Sequence, residues 1–217
     1  FTPRAVKGAL RDLVDVQALR IQARAERDNA ALFDRILVNS SYSRESVLRA
    51  YGLESQVCYL GVDGDRFRPL HLPRQRIVVG LGAIHRSKGI DTAIRAVAQL
   101  EAGTRPCLAW IGNFEDEGYR MQLEHLAASL SVRFSTHVRV SDDTVVSMLN
   151  TASVMIYTSL LEPFGLAPLE ATACETPVVA IAEGGVRESI IDGHNGLLVP
   201  ERSPEQLGRA LQRFLDD

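Results

Sequence analysis

Two glutamates, Glu162 and Glu170, flank a Pro-Phe-Gly turn in the stretch LEPFGLAPLEA at residues 161–171, with seven residues between them and little else that is polar. A carboxylate in such a loop, and another one helical turn into the helix the loop opens, can accept hydrogen bonds from vicinal sugar hydroxyls. Each offers two acceptor oxygens. Gly165 lets the backbone come close to a ligand, and the amides of Gly165 and Leu166 stand at a helix start, where no intrahelical acceptor exists for them. A plainer reading stays open, in which Glu170 complements the positive end of its own helix and Glu162 is solvated.

The run VVGLGAIHRSKGIDTAIRAVAQL at residues 78–100 has the same grammar: a strand, a glycine loop, then a helix beginning near Lys88. A lysine at such a junction adds a point charge to a place where free amides already attract anions. The pattern G-L-G falls short of the dinucleotide fingerprint and lacks the Walker A spacing. Gly80 and Gly82 can equally relieve crowding at a strand end, with Lys88 a solvated residue. A third run, AEGGVRESIIDGHNGLLVP at 182–200, places Gly184 and Gly185 between a strand and a short helix. Three such loops on one edge of one sheet make a cleft.

Other chemistries find less support. The five histidines show no ligand spacing, and the three cysteines, Cys58, Cys107 and Cys174, are odd in number and far apart, so neither a metal site nor a disulfide framework is expected. Ser159 and the pair Ser40-Ser41 lack the nucleophile elbow of a hydrolase. A net charge of -3 gives no basic footprint for nucleic acid. No apolar run approaches a membrane span, the first residues lack the apolar core of a signal peptide, and Phe1 is not an initiator Met, so a piece of a longer chain is expected.

The elements that must position these residues follow from periodicity. Short β-branched runs at 36–40, 56–60, 76–82, 107–112, 131–135, 153–158, 177–181 and 196–200 read as strands. Helical spacing appears near 43–51, 88–101, 117–130, 142–151, 166–174 and 204–215. Strands apolar on both faces and separated by helices predict a parallel, doubly wound α/β sheet. The first 35 residues read as a long surface helix, Trp110 as core, and the aperiodic segment 61–76 as a linker near a domain boundary.

In order and spacing, GLGAIHRSKGID, SLLEPFGLAPLEATACETPVVA and EGGVRESIIDGHNGLLV resemble the carboxyl-terminal domain of family-4 retaining glycosyltransferases of GT-B fold. The resemblance runs from about Asp34 onward. It implies a division into residues 1–57, a remnant helix, strand and helix of the amino-terminal domain, and 58–217, a Rossmann-like nucleotide-sugar-binding domain. It also implies roles. Glu162 is the catalytic residue, contacting the donor sugar and steadying charge near the anomeric carbon, while Glu170 accepts from the ribose. The amides of Gly165 and Leu166, with Gly82 and Phe164 beside them, meet the sugar or diphosphate, and Lys88 neutralises the leaving group, so no metal or other cofactor is expected. The substrate is a nucleotide sugar such as a UDP- or GDP-sugar, and the whole protein a hexosyltransferase of glycan biosynthesis.

The resemblance has departures. Ala83 stands where the family commonly has arginine, leaving the diphosphate to Lys88 alone or with Arg86, and Thr136, in a loop near the nucleobase, and Glu175 occupy frequent glycine positions. The acceptor site belongs to the amino-terminal domain, so the chain alone is expected to bind a donor weakly without turnover. A cytoplasmic setting is implied, with room for peripheral contact at the inner membrane face. The alternatives are a non-catalytic nucleotide-sugar-binding or regulatory module, and, within the same fold, a sugar-nucleotide epimerase or a phosphorylase.

Overall fold

In a computed structural model, which describes residues 3–216, the chain forms two compact units, Phe1–Tyr59 and Leu60–Asp217. The division falls two residues beyond the boundary expected after residue 57. The first unit contains α1 (Pro3–Ala30), β1 (Leu37–Val38), α2 (Ser41–Tyr51) and β2 (Gln56–Val57), with β1 and β2 paired in parallel. The long helix expected at the start is present over its described part; residues 1 and 2 lie outside the described residues. The α2 helix begins where the Ser40 hydroxyl accepts from the Ser43 amide and ends at Gly52, which is left-handed at φ 67. Arg27 Nε donates to the Tyr51 carbonyl and Tyr51 Oη to Glu26 Oε2, each over 3.0 Å, which ties α1 to α2.

The second unit alternates strand and helix: β3 (Gln75–Leu81), a 3-10 turn (Arg86–Lys88), α3 (Ile90–Ala98), β4 (Cys107–Gly112), α4 (Glu117–Ser129), β5 (Phe134–Val138) and α5 (Asp142–Thr151). It continues through β6 (Ala152–Tyr157), α6 (Leu166–Ala173), β7 (Val178–Ile181), α7 (Val186–Ser189), β8 (Gly196–Val199) and α8 (Pro204–Leu215). All six strands are parallel, in the order β5-β4-β3-β6-β7-β8. This is the doubly wound parallel α/β sheet expected. Winding starts at β3, runs outward through β4 and β5, then returns to β6 on the other side. The junction of β3 and β6 is therefore the topological switch point, where the loops leaving the carboxyl ends of the two strands part and a crevice opens.

Period-two alternation fills both faces of the sheet. Val78, Leu108, Trp110, Val154 and Ile156 pack with α3, α4 and α8, whereas Val79, Ile111, Met155, Tyr157 and Val178 pack with α5, α6 and α7. The segment 61–74 is pinned at its end: Asn150, 2% exposed, accepts from the Leu70 amide and donates to the Arg68 carbonyl. Arg74 donates to the Leu149, Ala152, Cys174 and Glu175 carbonyls and to Thr176 Oγ1, satisfying the ends of α5 and α6 with one guanidinium.

Three expectations need correction. The run at 131–135 is not the strand; β5 starts at Phe134, because Ser131 (φ 53) and Val132 close α4 in a Schellman motif, their amides bonded to the Ala128 and Ala127 carbonyls. Thr136 consequently lies inside β5, opposite Trp110, and not in a loop. The helix after β3 does not begin at Lys88: that residue ends the 3-10 turn, and left-handed Gly89 (φ 61) separates it from α3. Gly89 is required there on a second count, since a Cβ would sit 2.4 Å from the Thr158 carbonyl oxygen. Among the described residues no helix is long and apolar enough to cross a membrane.

Candidate functional site

At the switch point the loop leaving β3 delivers Lys88 and the loop leaving β6 delivers Glu162. The two side chains meet: Lys88 Nζ lies 2.5 Å from Glu162 Oε2, with the side chains 21% and 28% exposed. Residues 74 apart in sequence are thus joined by a half-buried ion pair. Glu162 is not the freely solvated charge of the plainer reading. The loops also bond through their backbones, Leu160 N–H to the Ser87 carbonyl at 3.0 Å and Thr158 Oγ1 to the Lys88 carbonyl at 2.8 Å.

Glycines shape these loops by close approach. Gly80 gives up its side-chain space to Trp110, whose ring would lie 2.2 Å from an added Cβ. Trp110 is buried as expected, yet it also reaches out of the core, its Nε1 donating 2.9 Å to the Gly82 carbonyl at the root of the Lys88 loop. Gly82 in turn lies under the Lys88 stem, 3.4 Å from where a Cβ would stand. Gly184 and Gly185 form the bed of the Glu162 loop. The Gly185 amide donates 2.9 Å to the Glu162 carbonyl, and added Cβ atoms would lie 2.4 Å from that carbonyl oxygen at Gly184 and 2.1 Å from the Pro163 oxygen at Gly185. Their part in the site is to place Glu162.

Beyond Glu162 the chain buries Phe164 (4% exposed) and turns at Gly165, left-handed with φ 86, into α6. The amides of Gly165 and Leu166 open the helix at its positive end. Beneath the turn lies Tyr157, which periodicity identifies only as a residue of the apolar strand at 153–158 and which the structure makes the last residue of β6. Its ring is 4% exposed, and its hydroxyl is 3.0 Å from the position of a Gly165 Cβ. Burial and then the Glu162 carboxylate raise its pKa far above the ordinary tyrosine range, so it stays a neutral phenol facing Glu162 and the Ser159 hydroxyl. A tyrosine closing an otherwise aliphatic strand was the available signal.

Glu170, on the first turns of α6, is half-buried. Burial, and then the Asp142 carboxylate, raise its pKa above the ordinary 4.5. A carboxylate whose main role was to complement its own helix terminus would be shifted the other way. Among the described residues no cation is within ion-pair distance of it, while Asp142 is paired with Arg66 at 2.5 Å. Glu170 is thus an acceptor kept short of partners. Arg86, two residues before Lys88, is not drawn into the Lys88–Glu162 pair: its guanidinium lies 4.9 Å over the Tyr119 ring and its Nη2 donates 2.7 Å to Gln122 Oε1. Among the described residues no three His, Cys, Asp or Glu side chains gather as a metal site.

This chain matches the family described as glycosyl transferases group 1 over residues 62–217. Curated relatives include D-inositol 3-phosphate glycosyltransferases of Streptomyces bingchenggensis, 31% identical over 85% of this chain and 46% of the relative, and of Acidothermus cellulolyticus, 32% identical over 88% and 48%. The chain spans about half the length of the curated relatives it matches. Among solved structures, Anabaena HepE in complex with UDP and glucose superposes with a TM-score of 0.81 at 22% identity, over 90% of this chain and 57% of that one. Sucrose-phosphate synthase from Thermosynechococcus elongatus gives 0.79 at 28%, over 91% and 53%.

Proposed function

Since this chain belongs to the glycosyl transferases group 1 family, we propose that its Leu60–Asp217 unit is the donor-binding half of a retaining glycosyltransferase that uses a nucleotide sugar. The observation that carries the reading is the meeting of Lys88 and Glu162 at the switch point, 2.5 Å apart on two different loops. Complexes of HepE with UDP and with UDP-glucose, on a similar fold, support the ligand class.

The three parts of a nucleotide sugar find three kinds of group. The ribose offers vicinal hydroxyls to Glu170, whose half-buried carboxylate has no cation within ion-pair distance among the described residues. The diphosphate takes Lys88 and the amides that open α6. The sugar takes Glu162, freed from its ion pair when Lys88 turns to phosphate. In the reaction the glycosidic C–O bond to the diphosphate breaks, and negative charge grows on the departing oxygen. Once Lys88 has turned to the phosphate on donor binding, it and the helix terminus face that charge as it grows, and Glu162 steadies the positive charge on the anomeric carbon. The positive charge of Lys88 does here what a divalent metal does elsewhere, so donor binding is expected to persist in chelator.

The test is calorimetry of the full chain with UDP-, GDP- and ADP-sugars. One of them binds, and Lys88→Ala and Glu170→Ala each weaken it. Absence of any binding that both substitutions weaken refutes the site. Binding without transfer or donor hydrolysis by the longer protein favours a regulatory module.

A further inference from the structure

We propose that Arg86 is a positioning residue: through Tyr119 and Gln122 it straps the Gly82–Lys88 loop to α4, and so sets where the Lys88 ammonium stands. The inference rests on the donor-binding reading of Lys88 and adds a device to it.

Most of the loop is held by main-chain bonds. Trp110 holds the Gly82 carbonyl, Ile84 exchanges bonds with Phe114 and Asp116 at 2.8 and 3.0 Å, and the Ser87 and Lys88 carbonyls are taken by the β6 loop. Between Ile84 and Ser87 the contacts are local, His85 Nδ1 pairing with Ser87 Oγ at 3.0 Å. Arg86 is the residue of this interval that reaches another element. It lands on a fixed target. The Tyr119 ring is 5% exposed, its hydroxyl donates 3.3 Å to Asp91 Oδ1 on α3, and its amide is capped by Asp116 Oδ1 at 3.0 Å. Burial and Asp91 push the Tyr119 phenol up to about 12, so the ring stays neutral and presents an uncharged face.

A guanidinium on an aromatic face, with a planar N–H donating to an amide oxygen, is oriented as well as attracted. Among the described residues no carboxylate lies within ion-pair distance of Arg86, so its charge is committed to the ring and Gln122. Arg86 begins the 3-10 turn that ends in Lys88. Release of the strap lets that turn rotate, and Nζ, at the end of a four-carbon stem, moves most.

The experiment compares affinities of the full chain for UDP and UMP, with GDP and GMP in parallel, because Lys88 is assigned to the diphosphate alone. Arg86→Ala and Tyr119→Leu are each expected to shrink the diphosphate preference about fivefold while leaving monophosphate affinity in place. Combining them should add little. A residue of merely structural importance would lower both affinities together. Tyr119 is buried, so Gln122→Ala, on the surface, serves as the second probe, with about a twofold effect in the same direction.

Loss of the preference in Arg86→Ala, with both α4 variants unchanged, would mean that Arg86 touches phosphate itself and overturns the strap. An unchanged preference in Arg86→Ala overturns it too. If Lys88→Ala keeps the preference, the donor reading falls and the strap falls with it, a failure that the Arg86 variants alone do not produce.

Discussion

Gly185→Ala tests the packing that sets Glu162. Gly185 has an ordinary backbone at φ -78, so alanine brings no conformational strain. The problem is space. Its Cβ would lie 2.1 Å from the Pro163 oxygen and 2.8 Å from Phe164 Cα, where ordinary contact begins near 3.4 Å. The Glu162–Phe164 segment must withdraw by about 1 Å, which also lengthens the 2.9 Å bond from the Gly185 amide to the Glu162 carbonyl. Overpacking of this kind costs about 1–3 kcal/mol. In a unit of this size that lowers Tm by about 2–10 °C. The larger effect is on the site, since a hydrogen bond from a sugar hydroxyl to a charged carboxylate contributes about 1.5–3 kcal/mol and does not survive such a displacement. Calorimetry with a nucleotide sugar and its nucleoside diphosphate isolates it. The gain in affinity that the sugar adds should fall at least about tenfold, with the nucleoside diphosphate still bound. Gly193→Ala is the control: it is left-handed at φ 76 with open space around its Cβ, so it should cost stability and leave the sugar increment alone. Equal losses in the two variants, or an unchanged increment in Gly185→Ala, would refute the reasoning.

Three other substitutions separate the roles. Glu170→Gln should raise Tm at neutral pH, because the native fold holds this carboxyl's proton more tightly than the unfolded chain does, and its ionised form therefore destabilises the fold. The gain should vanish as the pH drops to the ordinary value of 4.5, while wild-type nucleotide affinity weakens over the same descent as Glu170 protonates. A lower Tm at neutral pH would contradict this. Tyr157→Phe removes one buried hydroxyl and its hold on Glu162; about 1 kcal/mol of stability and part of the sugar increment should go, with nucleoside diphosphate affinity kept. Glu175→Gly should stabilise: Glu175, at φ 57, occupies the left-handed position of a Schellman motif closing α6. Relief of about 1–2 kcal/mol is offset in part by glycine's freedom in the unfolded chain, leaving a Tm gain of about 2 °C and unchanged nucleotide binding.

The strands were legible because both faces of the sheet are apolar, and α8 was legible to the residue because Ser203 and Pro204 start it where its apolar spacing begins. Segment 131–135 misled because Val132 is buried under α4 as a helix cap, and a buried valine looks the same in a strand. At the site, sequence spacing indicates Glu162 and Lys88 in loops at strand ends and Glu170 on the first turns of the helix that one of those loops opens. It says nothing about which strand ends are adjacent. Only the strand order brings β3 and β6 together and so makes an ion pair of Lys88 and Glu162. Asp142 and the Arg86 strap were invisible for the same reason, each acting through a neighbour distant in sequence, whereas Tyr157 is close to Glu162 in sequence and only the fold turns its hydroxyl toward that carboxylate. Gly184 and Gly185 were visible as glycines, while their task, making room for Leu161 and Glu162 at the first and for Pro163 and Phe164 at the second, exists only once two loops meet.

The central claim, that Glu170 receives the ribose of a nucleotide sugar, is tested most directly by the affinity of the full chain for UDP or GDP against the 2′,3′-dideoxy nucleotide, in wild type and in Glu170→Ala. The account predicts that wild type prefers the ribose form at least about tenfold, as expected for hydroxyls donating to a charged acceptor, and that Glu170→Ala abolishes the preference. A preference of equal size in both proteins would contradict it.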